Sequence, residues 1–201
     1  MEILKKIKGF QPISLCDWPG KVSCVIFIGG CNFRCPTCHN KQIAFYPDKT
    51  PTIDFDIFDY LKKKKKWLDG VVISGGEPTI AKGLDELIKE IKDLGFPVKL
   101  DTNGSNPKLI YEFLQLNLVD LFAVDVKGPF KKYNELTGGK ITEEEVKKNF
   151  DEIFSLATKY PSKFLFRLTK VPLLNKEDIL TVKKYLPPGF ELKLQEYLDV
   201  T

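Results

Sequence analysis

The sequence predicts an α/β protein built on a partial, open (βα)6 barrel, preceded by a short N-terminal strand extension. Three observations lead there. Apolar segments of strand length alternate with segments of helical periodicity six times from residue 22 onward, and that alternation implies a parallel sheet. The chain has 201 residues, whereas a closed eight-unit barrel needs about 250. Polar motifs stand at the C-terminal ends of the predicted strands, the edge on which barrel enzymes assemble their sites. A doubly wound open sheet is the alternative arrangement. The expectation is one domain, with residues 1–21 as the extension and 22–196 as the partial barrel.

In chain order, residues 7–14 and 22–28 flank Pro19-Gly20 and read as two strands joined by a turn. Residues 41–46 suit a short helix ending near Pro47. Residues 53–68 carry Ile53, Ile57, Phe58, Leu61, Trp67 and Leu68 at helical spacing. Asp69-Gly70 breaks that helix before the strand 71–73. A helix at 84–94 aligns Leu84, Leu87, Ile88 and Ile91, and the strand 98–100 follows Gly95-Phe96-Pro97. A helix over 107–116 and a strand over 119–124 come next. A long helix at 142–159 opens with Thr142 and Glu145 as a candidate capping box. The strand 164–168, a helix at 175–185 and a last strand at 190–194 complete the pattern.

Composition narrows the class. Hydrophobic residues make up 43% and charged residues 29%, as in ordinary globular proteins. No apolar stretch reaches the roughly eighteen residues of a membrane helix. The N-terminus, Met1-Glu2-Ile3-Leu4-Lys5-Lys6, lacks a signal-peptide core, so a cytoplasmic location without membrane contact is expected. The net charge of +4 is too small to call for a nucleic-acid partner. The lysine run 62–66 reads as a solvated helix end favoured by the helix dipole.

The chemistry concentrates in Cys31-Asn32-Phe33-Arg34-Cys35-Pro36-Thr37-Cys38-His39-Asn40, which holds three of the five cysteines as C-x3-C-x2-C. Soft thiolate ligands select iron–sulfur clusters, zinc or copper(I). Structural zinc sites normally close with four ligands, and a cubane held by three thiolates leaves one iron open. A zinc with His39 as fourth ligand stays open as an alternative, and so does a disulfide remnant. The odd cysteine count and absent signal peptide weigh against the latter. Cys24 sits in an apolar run, where it behaves as a small hydrophobe. With Cys16 it cannot complete a second cubane.

The cysteine spacing resembles the radical S-adenosylmethionine (SAM) superfamily. Cys38-His39-Asn40 and Asp17-Trp18-Pro19-Gly20-Lys21 resemble the activating enzymes of glycyl radical enzymes, most of all those of anaerobic ribonucleotide reductase. The resemblance implies a partial barrel of the radical SAM type. It implies a 4Fe–4S cluster on Cys31, Cys35 and Cys38, with SAM on the open iron and Thr37, His39 and Asn40 around it. Thr37 stands where the family usually sets an aromatic residue against the adenine.

Gly75-Gly76-Glu77 is similar to the family's motif for the methionyl amino group, and glycine lets backbone come close to a ligand. Asp101-Thr102-Asn103-Gly104 and Asp125-Val126-Lys127 resemble further SAM-holding segments, with a monovalent cation near the two aspartates and the threonine. Arg167 resembles an arginine on the fifth strand. The activity implied is reductive cleavage of SAM to a 5′-deoxyadenosyl radical. That radical takes hydrogen from a glycine of a partner, of anaerobic ribonucleotide reductase or pyruvate formate-lyase type. The electron would come from a flavodoxin- or ferredoxin-type donor. Two other functions compete: the same machinery acting on a small molecule or RNA base, and a non-catalytic metal-binding module. An unclosed barrel favours a macromolecular substrate, since small ligands usually need pockets that bury most of their surface.

Overall fold

The computed structural model describes residues 1–199. Seven strands form one sheet in chain order. They are β1 (Ile7–Ser14), β2 (Ser23–Ile28), β3 (Gly70–Gly75), β4 (Val98–Thr102), β5 (Leu121–Asp125), β6 (Phe164–Lys170) and β7 (Leu192–Glu196). β1 runs antiparallel to β2, and every later pair is parallel. β1 and β7 are the two edges of the sheet. The barrel is therefore partial and open along that seam, with β1 as the extension.

Helices connect the parallel strands. α1 (Lys41–Phe45) and α2 (Ile57–Lys64) lie between β2 and β3, and α3 (Leu84–Asp93) and α4 (Pro107–Gln115) follow β3 and β4. α5 (Tyr133–Leu136) and α6 (Glu143–Lys159) follow β5, and α7 (Lys176–Lys183) follows β6. The Thr142–Glu145 capping box is present on α6. α7 carries a second one, Asn175 with Asp178, that sequence reading missed. The helix expected over 53–68 shrinks to α2, because the Asp56 carboxylate accepts the N–H groups of Phe58 and Asp59 and starts it there. Trp67 then falls beyond the helix and stands 73% exposed. The last strand begins two residues later than its apolar pattern suggests. Phe190 instead packs edge-on against Phe166.

Alternation along each strand divides the sheet into two faces. The convex face carries Ile26, Ile73, Leu100, Phe122, Phe166 and their neighbours, which join the helix stripes in one continuous core. The concave face holds a separate small cluster of Trp18, Val25 and Val72. Trp18, on the loop after β1, is 5% exposed. A Cβ on Gly70 would stand 2.8 Å from its ring, so glycine at the start of β3 makes the room. The indole thus fills the lower part of the concavity, and the site lies above it.

Candidate active site

The cysteine loop leaves β2 through Gly29-Gly30 and is held by backbone on two sides. On one side Gly76 N–H donates to the Ile28 carbonyl and Glu77 N–H to the Gly30 carbonyl, each at 2.8 Å. Side chains would prevent this approach: a Cβ on Gly76 would lie 1.9 Å from the Gly30 oxygen. Gly75 adds a positive φ of 119°, which favours glycine. Asn40 closes the loop's far end by donating from Nδ2 to the Gly75 carbonyl at 3.0 Å. On the other side Arg34 N–H donates to the Thr137 carbonyl at 2.9 Å. Gly138, with φ +70°, lets that turn approach, since its Cβ would lie 2.4 Å from the Arg34 oxygen. The 128–141 segment that makes this contact has no clear periodicity and was assigned no element from sequence.

All five cysteines are free. Cys31, Cys35 and Cys38 line a cleft of about 380 Å³ at the C-terminal edge of the sheet, and every residue named for the site from sequence lines it too. Burial pushes the Cys31 thiol up to about 11, with the Phe33 N–H opposing and Glu77 adding to the rise. Burial also raises Cys35, against the pull of Lys127. Among the described residues, no three His, Cys, Asp or Glu side chains converge as ligands of one metal ion. His39, the fourth ligand of the zinc alternative, faces the chain's end instead. Its ring stacks on Tyr197 with centroids 5.1 Å apart, and its Nε2 lies 2.7 Å from the Leu198 carbonyl. A carbonyl only accepts, so Nε2 carries the proton.

The floor of the cleft is a row of alternating charges. Lys99, 1% exposed, pairs with Asp101. Asp101 also accepts from Ser74 Oγ at 3.0 Å and from Arg167 at 3.1 Å. Arg167 Nε donates to Asp125 at 2.8 Å, and Lys127 Nζ reaches the other Asp125 oxygen at 3.1 Å. Burial alone would raise Asp125, but Arg167 and Lys127 outweigh it and hold the carboxyl down at about 2. Burial would lower Lys127, yet Asp125 and Cys35 raise it above the usual lysine range. The guanidinium of Arg167 thus bridges the two aspartates.

Glu77 and Thr102 face protein rather than the cleft's open space. The Glu77 carboxylate is fully buried. It accepts from Thr79 N–H and Oγ1, Thr102 Oγ1 and Asn103 N–H, at 3.2, 2.5, 2.8 and 2.6 Å. Burial nevertheless raises its pKa against those donors. The side chain ties the loop after β3 to the loop after β4. Asn103 continues that tie by donating from Nδ2 to Asn32 Oδ1 of the cysteine loop at 2.9 Å.

Sequence reading missed Ser74, Lys99, Asn32 and Ser105. Lys99 was findable, standing two residues before Asp101 and so on the same face of a strand. Asn32 and Ser105, joined at 2.8 Å, gave no signal, because their meeting depends on how two loops fold over the sheet.

The residues fit the cluster and cofactor the resemblance implied. Three free soft donors share one cleft, and beside them lie a glycine cradle that any Cβ would fill and a cationic group, Lys127, close to Cys35.

The Radical SAM superfamily model matches residues 25–186. A Methanocaldococcus jannaschii protein provisionally named a glycyl-radical enzyme activating enzyme is 38% identical over 182 residues, covering 89% of this chain and 74% of that one. The pyruvate formate-lyase-activating enzyme of Clostridium pasteurianum is 28% identical, covering 88% and 74%. Among solved structures, native anSMEcpe with bound AdoMet and Cp18Cys peptide superposes with a TM-score of 0.60 at 20% identity, covering 85% of this chain. This chain spans 49% of that structure, and at that identity the likeness concerns the fold.

Proposed function

The chain is an enzyme of the radical SAM superfamily, and on that premise we propose that it activates a glycyl radical enzyme. The observation that carries the proposal is a juxtaposition. Three free thiols, the glycine cradle at 75–76 and the Lys127–Asp125–Arg167 row line one cleft beside an unclosed sheet.

In this reading Cys31, Cys35 and Cys38 hold a 4Fe–4S cluster, and no fourth cysteine closes it. When bound, the cluster and SAM together supply one-electron chemistry that ends in hydrogen abstraction from a glycine of the partner. The chain's own residues bind, orient and exclude. Lys127 offsets negative charge near Cys35 and, with Arg167, presents cationic donors toward the SAM carboxylate. The backbone at Gly75 and Gly76 faces the methionyl end. Arg167 bridges Asp101 and Asp125 and helps keep Asp125 ionised, and Glu77 fixes the loops that carry the glycines and Asn103. Trp18 shuts water out from below. The seam between β1 and β7 gives a partner's loop a lateral way in.

An anaerobic ribonucleotide reductase or a pyruvate formate-lyase type enzyme is the class of partner. A flavodoxin- or ferredoxin-type protein is the class of donor, and the cytoplasm the setting. Among the described residues no helix is long and apolar enough to cross a membrane.

Anaerobic reconstitution with iron and sulfide tests the reading. The expected product is a brown protein that cleaves SAM on reduction and raises a glycyl signal in electron paramagnetic resonance on a partner enzyme. A colourless protein holding zinc would overturn it. SAM cleavage without a glycyl signal on any such partner would leave the chemistry and remove the partner class.

A further inference from the structure

The three cysteine sulfurs are not equivalent in their surroundings. Cys31 Sγ receives the Phe33 N–H at 3.3 Å and has the Asn103 side-chain amide 4.0 Å away, the long end of an N–H···S contact. The Cys35 sulfur has only its own backbone N–H beside it, and no side-chain amide of the described residues stands against Cys35 or Cys38.

The orientation of the Asn103 amide is fixed by its neighbours. Ser105 N–H donates to Asn103 Oδ1 at 2.9 Å, and a backbone N–H cannot accept, so Nδ2 must point the other way. One of its protons is used on Asn32 Oδ1 at 2.9 Å, leaving the second for the sulfur. Asn32 is held in turn by Ser105 Oγ at 2.8 Å. The Asn103 backbone N–H is pinned by Glu77 at 2.6 Å, and the residue is only 6% exposed. A buried amide clamped at both ends does not turn away at small cost.

Hydrogen bonds to thiolate sulfur withdraw charge, and they set the potential of iron–sulfur centres together with burial and net charge. Building on the cluster reading above, we propose that Asn103 is a positioning residue whose side-chain amide donates to the Cys31 sulfur and raises the cluster's reduction potential. A donor of this kind stabilises the reduced state, which carries one more negative charge, over the oxidised one. It acts at one corner of the cluster only, so Cys31 becomes the sulfur most relieved of charge when the electron arrives.

The test is a potentiometric titration of the anaerobically reconstituted protein, followed by electron paramagnetic resonance, with iron content measured in parallel. Asn103→Ala is expected to retain iron while its reduction equilibrium shifts about tenfold toward the oxidised form, about 59 mV downward for one electron. Asn103→Asp keeps the acceptor for Ser105 N–H and replaces the donor by a carboxylate. It is expected to shift at least as far, and it serves if the alanine variant does not hold iron. Asn32→Ala loosens the loop but leaves the amide facing the sulfur, so its potential should stay near that of the unaltered protein.

A loaded Asn103→Ala or Asn103→Asp cluster with unchanged potential overturns the inference. So does Asn32→Ala matching the Asn103→Ala shift, because loop mobility would then be the cause. Failure of the unaltered protein to hold a cluster overturns the underlying reading, and this inference with it.

Discussion

The two faces of the sheet use the same strands to opposite ends. On β6, Phe164, Phe166 and Leu168 point outward into the helix layer and are buried, while Arg167 between them points inward to Asp101 and Asp125. On β4, Val98 and Leu100 serve the core and Lys99 and Asp101 serve the cleft. The convex face gains stability from apolar area removed from water, about 25 cal/mol per Å². The concave face holds buried charges, whose mutual attraction does little more than offset their desolvation. The outer face therefore stabilises the fold, and it fixes the geometry in which an inner face of low net stability can be kept.

The cysteines give the widest separation of the two faces. Cys31→Ala, Cys35→Ala or Cys38→Ala should abolish SAM cleavage by the reconstituted enzyme while shifting thermal stability of the metal-free protein little. Cys24→Ala, on the convex face and fully buried, should keep the cluster and cost about 1 kcal/mol. Iron content and a melting curve on each of the four variants settle it. A Cys24→Ala protein that loses the cluster would erase the division.

Adjacent residues sharpen it next. Phe166→Ala should cost about 3–5 kcal/mol by cavity formation, at any pH. Arg167→Leu should cost about as much at pH 7, because two aspartates lose their shared cation. That cost should shrink as the pH falls and Asp125, no longer held down by Arg167, takes a proton. Urea denaturation at pH 7 and pH 4 separates the two, and parallel pH profiles would refute the assignment.

Asp125 sets a pH window of its own. Its carboxyl is held at about 2, below an ordinary 3.8. A depressed folded-state value gives stability that is complete above the unfolded value and is lost as pH falls through the folded one. The loss should fall between about pH 4 and pH 2 and amount to roughly 2 kcal/mol. Asp125→Asn should flatten the stability curve there, and an unchanged slope would show that other carboxylates set it.

The smallest effect belongs to neither face. Lys63 pairs with Asp59 at 2.6 Å on the surface of α2, with both side chains more than half exposed. Lys63→Gln should leave the denaturation midpoint almost unchanged, and the small effect should fade further in high salt. A clear drop in the midpoint would mean that the lysine run docks on something within the fold.

Much was already decided by the sequence alone. Strand–helix alternation determined the parallel sheet, because periods of 2 and 3.6 residues are properties of the local backbone. The C-x3-C-x2-C spacing, Gly75-Gly76-Glu77 and the two aspartate motifs marked the site, because their residue types are chemical requirements readable in short stretches. Only the tertiary structure decided partners. That Arg167 joins Asp101 to Asp125 depends on β4, β5 and β6 lying side by side in register. That Glu77 spends its carboxylate on Thr79, Thr102 and Asn103 depends on two loops meeting over the sheet. The docking of the 136–138 turn against Arg34 required a segment with no periodic signal. Such contacts join residues tens of positions apart, and a pattern read along the chain carries no term for distance across it.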